Sequence, residues 1–551
     1  MKGANNYTTN RRNVLRYTAG ASTIGLASLA GCIGDADDDE GNGNGNGNGN
    51  GNGNGNGNGV DADELTITLS QFPDTIDPLD HITGDYFDIY DHIYEPLFDF
   101  VPGEGIFPRV AEDWEPQDNG TTEVYLREGV SFHNGDTLTA EDVAWTINRT
   151  VDPDIGVQSP IGTFGLGSIT GADAVDDTTV AINYNASAGL AEFEFGNYAR
   201  AMNRQWAIDN YDAENEAISG ADPEDFNGTG PYQVVDFVSG EEIVVEAFDD
   251  YWGDEPPFET VTFNASGESS SRVAALETGE ADVTMNILPE DVNTVQEAEG
   301  VDIRNITSFR TIFCPMKNTV APFDSQDFRQ AMNYAVDNDA IVNEILSGFG
   351  EPTSQPVAPG INGYNPDLEP YEQDIGRAES LVEDSGYGGA EITLTAPQGR
   401  YLNDAAIGER VADMIDQLDN VSCEVDIVDF PVVSDANQAG VDPDEFDIPF
   451  YMIGWGTITG DTDYGVQGFF TIPDNPARTF DDEELSDAIL ETQQIDDVEE
   501  RTAALQDVNA MAREKAPFVF LHTQESIYGA ESSLEWEPRE DETIYVWEMS
   551  R

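Results

Sequence analysis

A chain of 551 residues with 23 Lys and Arg against 108 Asp and Glu carries a formal charge of −85, and repulsion alone excludes nucleic acid and other polyanions as partners. At 39% hydrophobic and 10% aromatic residues it has material for more than one core. The acids run along the whole chain, as in a protein bathed in molar salt, where a Debye length of about 3 Å screens their repulsion and leaves ligand recognition to contact distances inside a crevice.

The first 31 residues hold Lys2, Arg11, Arg12 and Arg16 and no acid. The run from Asn10 to Arg16 resembles a twin-arginine export signal, and Tyr17 to Ala30 is an apolar stretch too short to span a bilayer. Leu29-Ala30-Gly31-Cys32 looks like a lipobox, so Cys32 is the expected lipidation site and residues 1–31 a removable leader. Residues 32–63 read as an unstructured linker, acidic from Asp35 to Glu40 and then a strict Gly/Asn alternation over 41–59. A Gly-rich coil of that length spans roughly 30 Å, enough to hold a folded body off a membrane surface. With Cys32 assigned to lipid, only Cys314 and Cys423 remain, too few for a disulfide scaffold or a Cys-ligated metal; whether they pair is left open.

The body opens with a strand at Glu64 to Ser70, read from period-2 apolar residues, and a loop after Phe72. Further strands are predicted at 122–127, 179–184, 242–247 and 260–264. A helix follows Thr139, an N-cap with Asp142 three residues on. Later helices are expected over 327–346, interrupted near Asp337, and over 374–385, stopped by Gly386. Residues 481–515 read as one long periodic acidic stretch ending before Pro517. Strands mixed with helices over this length imply an α/β body of two or three lobes.

Several segments then become specific. Pro108 to Trp114 (PRVAEDW), Tyr125 to Asp136 (YLREGVSFHNGD) and Leu138 to Val143 (LTAEDV) are followed by Gly228 to Tyr232 (GTGPY), Asp249 to Gly253 (DDYWG), Arg272 to Val283 and Phe328 to Asp337. In order and wording these resemble the peptide- and nickel-binding extracellular solute-binding proteins of ABC importers, family 5, of haloarchaeal lipoprotein type. Read physically, Gly228, Gly230 and Pro231 make a tight turn before a strand, and Trp114, Phe132 and Trp252 are core anchors.

The resemblance implies a type II periplasmic-binding-protein-like α/β fold, two-lobed with an extra inserted domain, mixed sheets and a hinge. Lobe I would be 64–92, 226–306 and 517–551, the inserted domain II 93–225, and lobe III 307–516. It implies a ligand between the lobes, no cofactor and no catalysis. The expected partners are an oligopeptide or dipeptide, an ABC permease with its ATPases, and a membrane reached through the lipid anchor; the chain would be a monomer exported by the twin-arginine route to the outer face of the cell membrane. Nickel chelate, haem or a sugar are the alternative solutes, and a secreted hydrolase the alternative class.

Candidate contacts follow from residues at the ends of apolar strands, where open α/β sheets form crevices. Phe446 to Trp455 is nearly all apolar and gives way to Asp461, Asp463 and Tyr464; it resembles the family segment whose carboxylate receives a peptide ammonium group, with Asp461 first, Asp463 its rival and Trp455 beside them. Ile392 to Tyr401 is a strand entering a turn that presents Arg400, whose planar fork suits a carboxylate, and Tyr401. Tyr86 is the candidate from the opposite lobe. The four histidines, His81, His92, His133 and His522, show no zinc-binding spacing, and there is no nucleophile elbow or phosphate loop.

Overall fold

A computed structural model of the chain describes residues 63–551, except 73–74, 82–83, 118–119, 153, 156, 158, 160–166, 199, 221, 445 and 471–477. Cys32, the leader and most of the linker lie outside the described residues. The opening strand, Glu64–Leu69, buries Leu65, Ile67 and Leu69, and pairs in parallel with Thr260–Ala265 and with Val283–Thr284. It sits inside a nine-stranded mixed sheet, whose order is Ile453–Gly456, Val301–Pro315, Phe518–Glu531, Val283–Thr284, Glu64–Leu69, Thr260–Ala265, Glu242–Ala247 and Tyr232–Val238, with Gly350–Pro352 added beside Phe518–Glu531.

Two members of this sheet are far longer than the rest. Val301–Pro315 and Phe518–Glu531 run antiparallel, and their register slips between Thr307 and Thr311 and again between Ile312 and Phe313. One end of the pair enters a core built on Leu65, Ile67, Phe263, Tyr528 and Trp536. The other enters a core with Ile312, Cys314, Phe328, Met332, Leu394 and Val519, flanked by a stack of Phe313, Phe469, Phe470, Phe518 and Phe520. Burial of each such side chain contributes about 1.5–3 kcal/mol, so both strands are anchored at each end. Their slipped middle is left as the natural bending point, because a bulge interrupts the ladder and raises the local twist. Residues 306 and 307, where the expected lobe I and lobe III segments meet, both lie within strand Val301–Pro315.

Between the first strand and the GTGPY segment the chain makes a four-stranded antiparallel sheet, ordered Ala111–Gln117, Thr121–Leu126, Thr179–Tyr184 and Ile169–Ala174. Helix Ala140–Val151 packs on it through Val143 and Ile147. The Thr139 cap forms as expected, with the Asp142 carboxylate accepting the Thr139 N–H at 2.9 Å. Phe132 is wholly buried in this core, whereas Trp114 and Trp252 are only partly buried; the Trp252 indole N–H donates to Glu95 at 2.9 Å. Gly228 and Gly230 are required by packing, since a Cβ would lie 1.9 Å from the Ile93 carbonyl oxygen and 2.2 Å from that of His92.

The later helices appear with local differences. Gln326–Ala335 ends where expected and is followed by a short helix, Asn338–Ala340, and a π-turn, Ile341–Ile345. Ile375–Ser385 is capped by Asp374 and stopped by Gly386 in the left-handed region. The stretch 481–515 is two helices, Glu483–Thr492 and Val498–Lys515, because Asp497 caps a new start by accepting the Glu500 N–H. Cys314 and Cys423 are both free and buried, and burial pushes the Cys423 thiol up to about 12. No helix among the described residues is long and apolar enough to cross a membrane.

Candidate functional site

Where the long strands slip, Phe309 and Arg310 turn their side chains into an internal cavity with about 80 Å³ open to the centres of water-sized molecules. Segments far apart in sequence wall it. His81, Phe87 and Asp88 come from the region of helix Phe87–Ile93, Arg400 and Tyr401 from the turn after strand Ala390–Gln398, and Phe430, Ser434 and Asn437 from helix Phe430–Gln438. Trp455 to Ile458 and Tyr464 follow the edge strand, and Glu540, Asp541 and Glu542 come from a turn near the C-terminus.

The Arg400 turn is rigid for a local reason. Gly399 takes φ +77°, and the Asp404 carboxylate accepts the N–H groups of Gly399, Arg400, Tyr401 and Ala405 at 2.8–3.0 Å. Tyr401 donates its hydroxyl to the Gly454 carbonyl at 3.2 Å. The Arg400 guanidinium lies 5.4 Å from the ring centres of Tyr401 and Phe430, so the cation stacks on aromatic surface while remaining at the cavity. Arg400 and Tyr401 also border a second, more polar hollow that includes Ser70, Glu268 and Arg272.

Opposite, Arg310 donates to Glu542 from Nε at 2.9 Å, and Glu542 also accepts from Gln524 at 3.1 Å and Ser526 at 2.6 Å. Burial alone would push the Glu542 carboxyl up; the charge and hydrogen bonds of Arg310, with Arg400 nearby, hold it below its ordinary value. Glu542 has φ 68°, a strained conformation for a residue with a Cβ, and these three donor side chains hold it there. In the same turn Asp541 pairs with Arg539 at 2.7 Å.

The predicted residues divide cleanly. Arg400, Tyr401 and Trp455 line the cavity; Asp461, Asp463 and Tyr86 do not. Asp461 is fully buried behind the wall, where it forms a two-pronged ion pair with Arg501, accepts from Asn362 at 2.8 Å and accepts the Asp463 N–H at 2.9 Å. Its carboxylate is engaged by these internal partners and does not line the cavity, where it was expected to face a ligand. Asp463 accepts from Gln493 at 3.0 Å, and burial, then the Asp461 charge, push its carboxyl up to about 6. Glu194, on helix Ala188–Tyr198, lies in the same electrostatic neighbourhood, pushed up to about 8 by burial and by Asp463. Tyr86 stacks on Tyr90 at 5.9 Å and packs against the first core.

Residues not anticipated are Phe309, Arg310, Asp88, Thr457 and the Glu540–Glu542 turn. Arg310 carried a usable signal, being one of few basic residues in the body and set in a long strand. The acidic turn carried none among 108 acids. Among the described residues no group of three or more His, Cys, Asp and Glu is placed to hold a metal ion.

Comparison with known proteins agrees with this architecture. Residues 105–476 match the family described as bacterial extracellular solute-binding proteins, family 5 Middle. A glutathione-binding protein of Pectobacterium atrosepticum is 26% identical over 449 residues, covering 78% of this chain and 83% of that protein. A dipeptide-binding protein of Escherichia coli is 28% identical over 351 residues, covering 59% and 63%. Among solved structures, an ABC transporter-associated periplasmic binding protein from Helicobacter pylori in complex with the peptide STSA superposes with a TM-score of 0.78 at 20% identity, covering 88% of this chain and 98% of that one. At that identity the likeness shows the fold, an α/β two-lobed arrangement of the periplasmic-binding type.

Proposed function

Because the chain belongs to the bacterial extracellular solute-binding proteins of family 5, we propose that it captures oligopeptides or dipeptides outside the cell and hands them unaltered to the permease and ATPases of an ABC importer. The observation that carries this reading is the cavity itself. It is bounded by segments far apart in the sequence, walled by Phe87, Phe309, Phe430, Trp455 and Tyr464, and provided with Arg400 on a turn braced by Asp404. Apolar walls with a few fixed polar groups are what a small-molecule site needs, and a guanidinium fork is suited to a carboxylate. Strands that bend at their slipped middle would let the two cores part to admit the ligand and close around it.

The protein is read as a binder and not an enzyme, and as tethered to the outer face of the membrane by lipid at Cys32 after twin-arginine export; the motifs of the first 32 residues support that address. Two of its relatives are a glutathione-binding and a dipeptide-binding protein, which supports a short peptide as the ligand. The test is native mass spectrometry of the protein purified in high salt, followed by titration calorimetry with what is released. Recovery of intact short peptides supports the reading. A co-purifying sugar or haem, or a peptide that is cleaved on standing with the protein, overturns it.

A further inference from the structure

The resemblance points to the segment after Trp455 for a ligand ammonium group, yet both carboxylates of that segment are spent on internal partners. The charged side chains lining the cavity include Arg310, Arg400, Asp88, Glu540, Asp541 and Glu542. Glu542 is matched by Arg310, Asp541 by Arg539, and Asp88 accepts the Ile544 N–H at 2.7 Å. Glu540 differs: its main chain is fixed, the carbonyl accepting the Phe309 N–H at 2.7 Å, while its carboxylate makes no hydrogen bond or ion pair with any described residue. The Phe309 carbonyl in turn accepts the Thr457 N–H at 3.1 Å. Thr457 is wholly buried, lines the same cavity, and its hydroxyl oxygen has no hydrogen-bond partner among the described residues. A buried hydroxyl left so is unfavourable unless a ligand supplies its partner.

On the peptide reading proposed above, we infer that Glu540, with the Thr457 hydroxyl linked to it through Phe309, receives the ammonium end of a zwitterionic peptide whose carboxylate is held by Arg400. The anionic pole is then supplied by the C-terminal turn of the chain and not by the segment after Trp455. Arg539 and Arg310 neutralise the neighbouring acids, so Glu540 provides the charge that complements an ammonium group. Aromatic walls keep the pair partly out of water, where molar salt screens it little.

The test uses the full chain in about 3 M KCl and three probes: the dipeptide Ala-Phe, its N-acetyl form and its C-terminal amide. In the wild type, N-acetylation and amidation should each weaken binding by about tenfold or more. In Glu540→Gln the free dipeptide should bind about as weakly as the N-acetyl form, while the amide remains weaker still; Arg400→Gln should give the converse pattern. Thr457→Val, nearly isosteric, should weaken the free dipeptide more than the N-acetyl form, and it carries the comparison if Glu540→Gln loses its melting transition. A wild type indifferent to N-acetylation, or a Glu540→Gln or Thr457→Val variant that keeps the full wild-type discrimination, overturns the assignment while leaving peptide binding in place. If none of the three probes binds the wild type, the peptide reading itself falls and this assignment with it.

Discussion

Replacing Glu194 by Gln is expected to stabilise the protein in alkaline solution and to change little in mild acid. Glu194 is 3% exposed; its carboxylate oxygens take the Ser168 N–H at 2.8 and 2.9 Å and the Ser168 hydroxyl at 3.0 Å. Burial, and then the charge of Asp463, push this carboxyl from 4.5 up to about 8. Between those values the folded protein holds a proton that the unfolded chain has released. The associated stability is therefore intact below about pH 4.5 and is lost progressively as the pH rises toward 8. At about 1.4 kcal/mol per unit, the ceiling on the loss is about 5 kcal/mol, and relaxation with water entry should leave about 2–4 kcal/mol. Gln cannot lose a proton and escapes the loss. Urea denaturation in about 3 M KCl at pH 5 and pH 9 measures it: the stability gap between variant and wild type should widen by about 2–4 kcal/mol between the two. A gap that is constant, or that shrinks at pH 9, would refute the claim that Glu194 is protonated in the fold.

Three further outcomes follow from the same structure. Arg501→Met leaves the Asp461 carboxylate buried without its cation and should cost about 3–5 kcal/mol in denaturation experiments, while the double variant with Asp461→Asn should recover a large part of the loss; a double variant as unstable as the single would contradict the ion pair. Gly228→Ala should destabilise by about 3 kcal/mol or more, or prevent folding, because its Cβ would fall 1.9 Å from the Ile93 carbonyl oxygen. The melting temperature should rise steeply between about 0.1 and about 3 M KCl as repulsion within a chain of charge −85 is screened, and a flat profile by circular dichroism would count against it.

Much of the secondary structure could be read directly from residue patterns. The strands at 179–184 and 242–247 occur with the boundaries that alternation predicts, and the Thr139, Asp374 and Gly386 signals mark real helix ends. Local chemistry suffices there, since a cap or an alternating face is decided by neighbours within a few residues. The break in 481–515 is hidden in the sequence because apolar periodicity continues through it, although Asp497 can cap a new helix.

Motif order by itself determined that this chain folds as a two-lobed solute-binding protein, because that property is summed over many residues and tolerates local error. Arg400, Tyr401 and Trp455 were also legible as cavity residues, each lying at the end of an apolar strand. Only the tertiary structure decided which acids remain to meet a ligand. Asp461 lies 40 residues from Arg501, which neutralises it, and Glu540 is placed at the cavity through Phe309, a residue remote in sequence. One carboxylate resembles another along a chain that has 108 of them; what separates a structural acid from a binding one is the donor that folding sets beside it, and that pairing is fixed by the way the two long strands bring distant segments together.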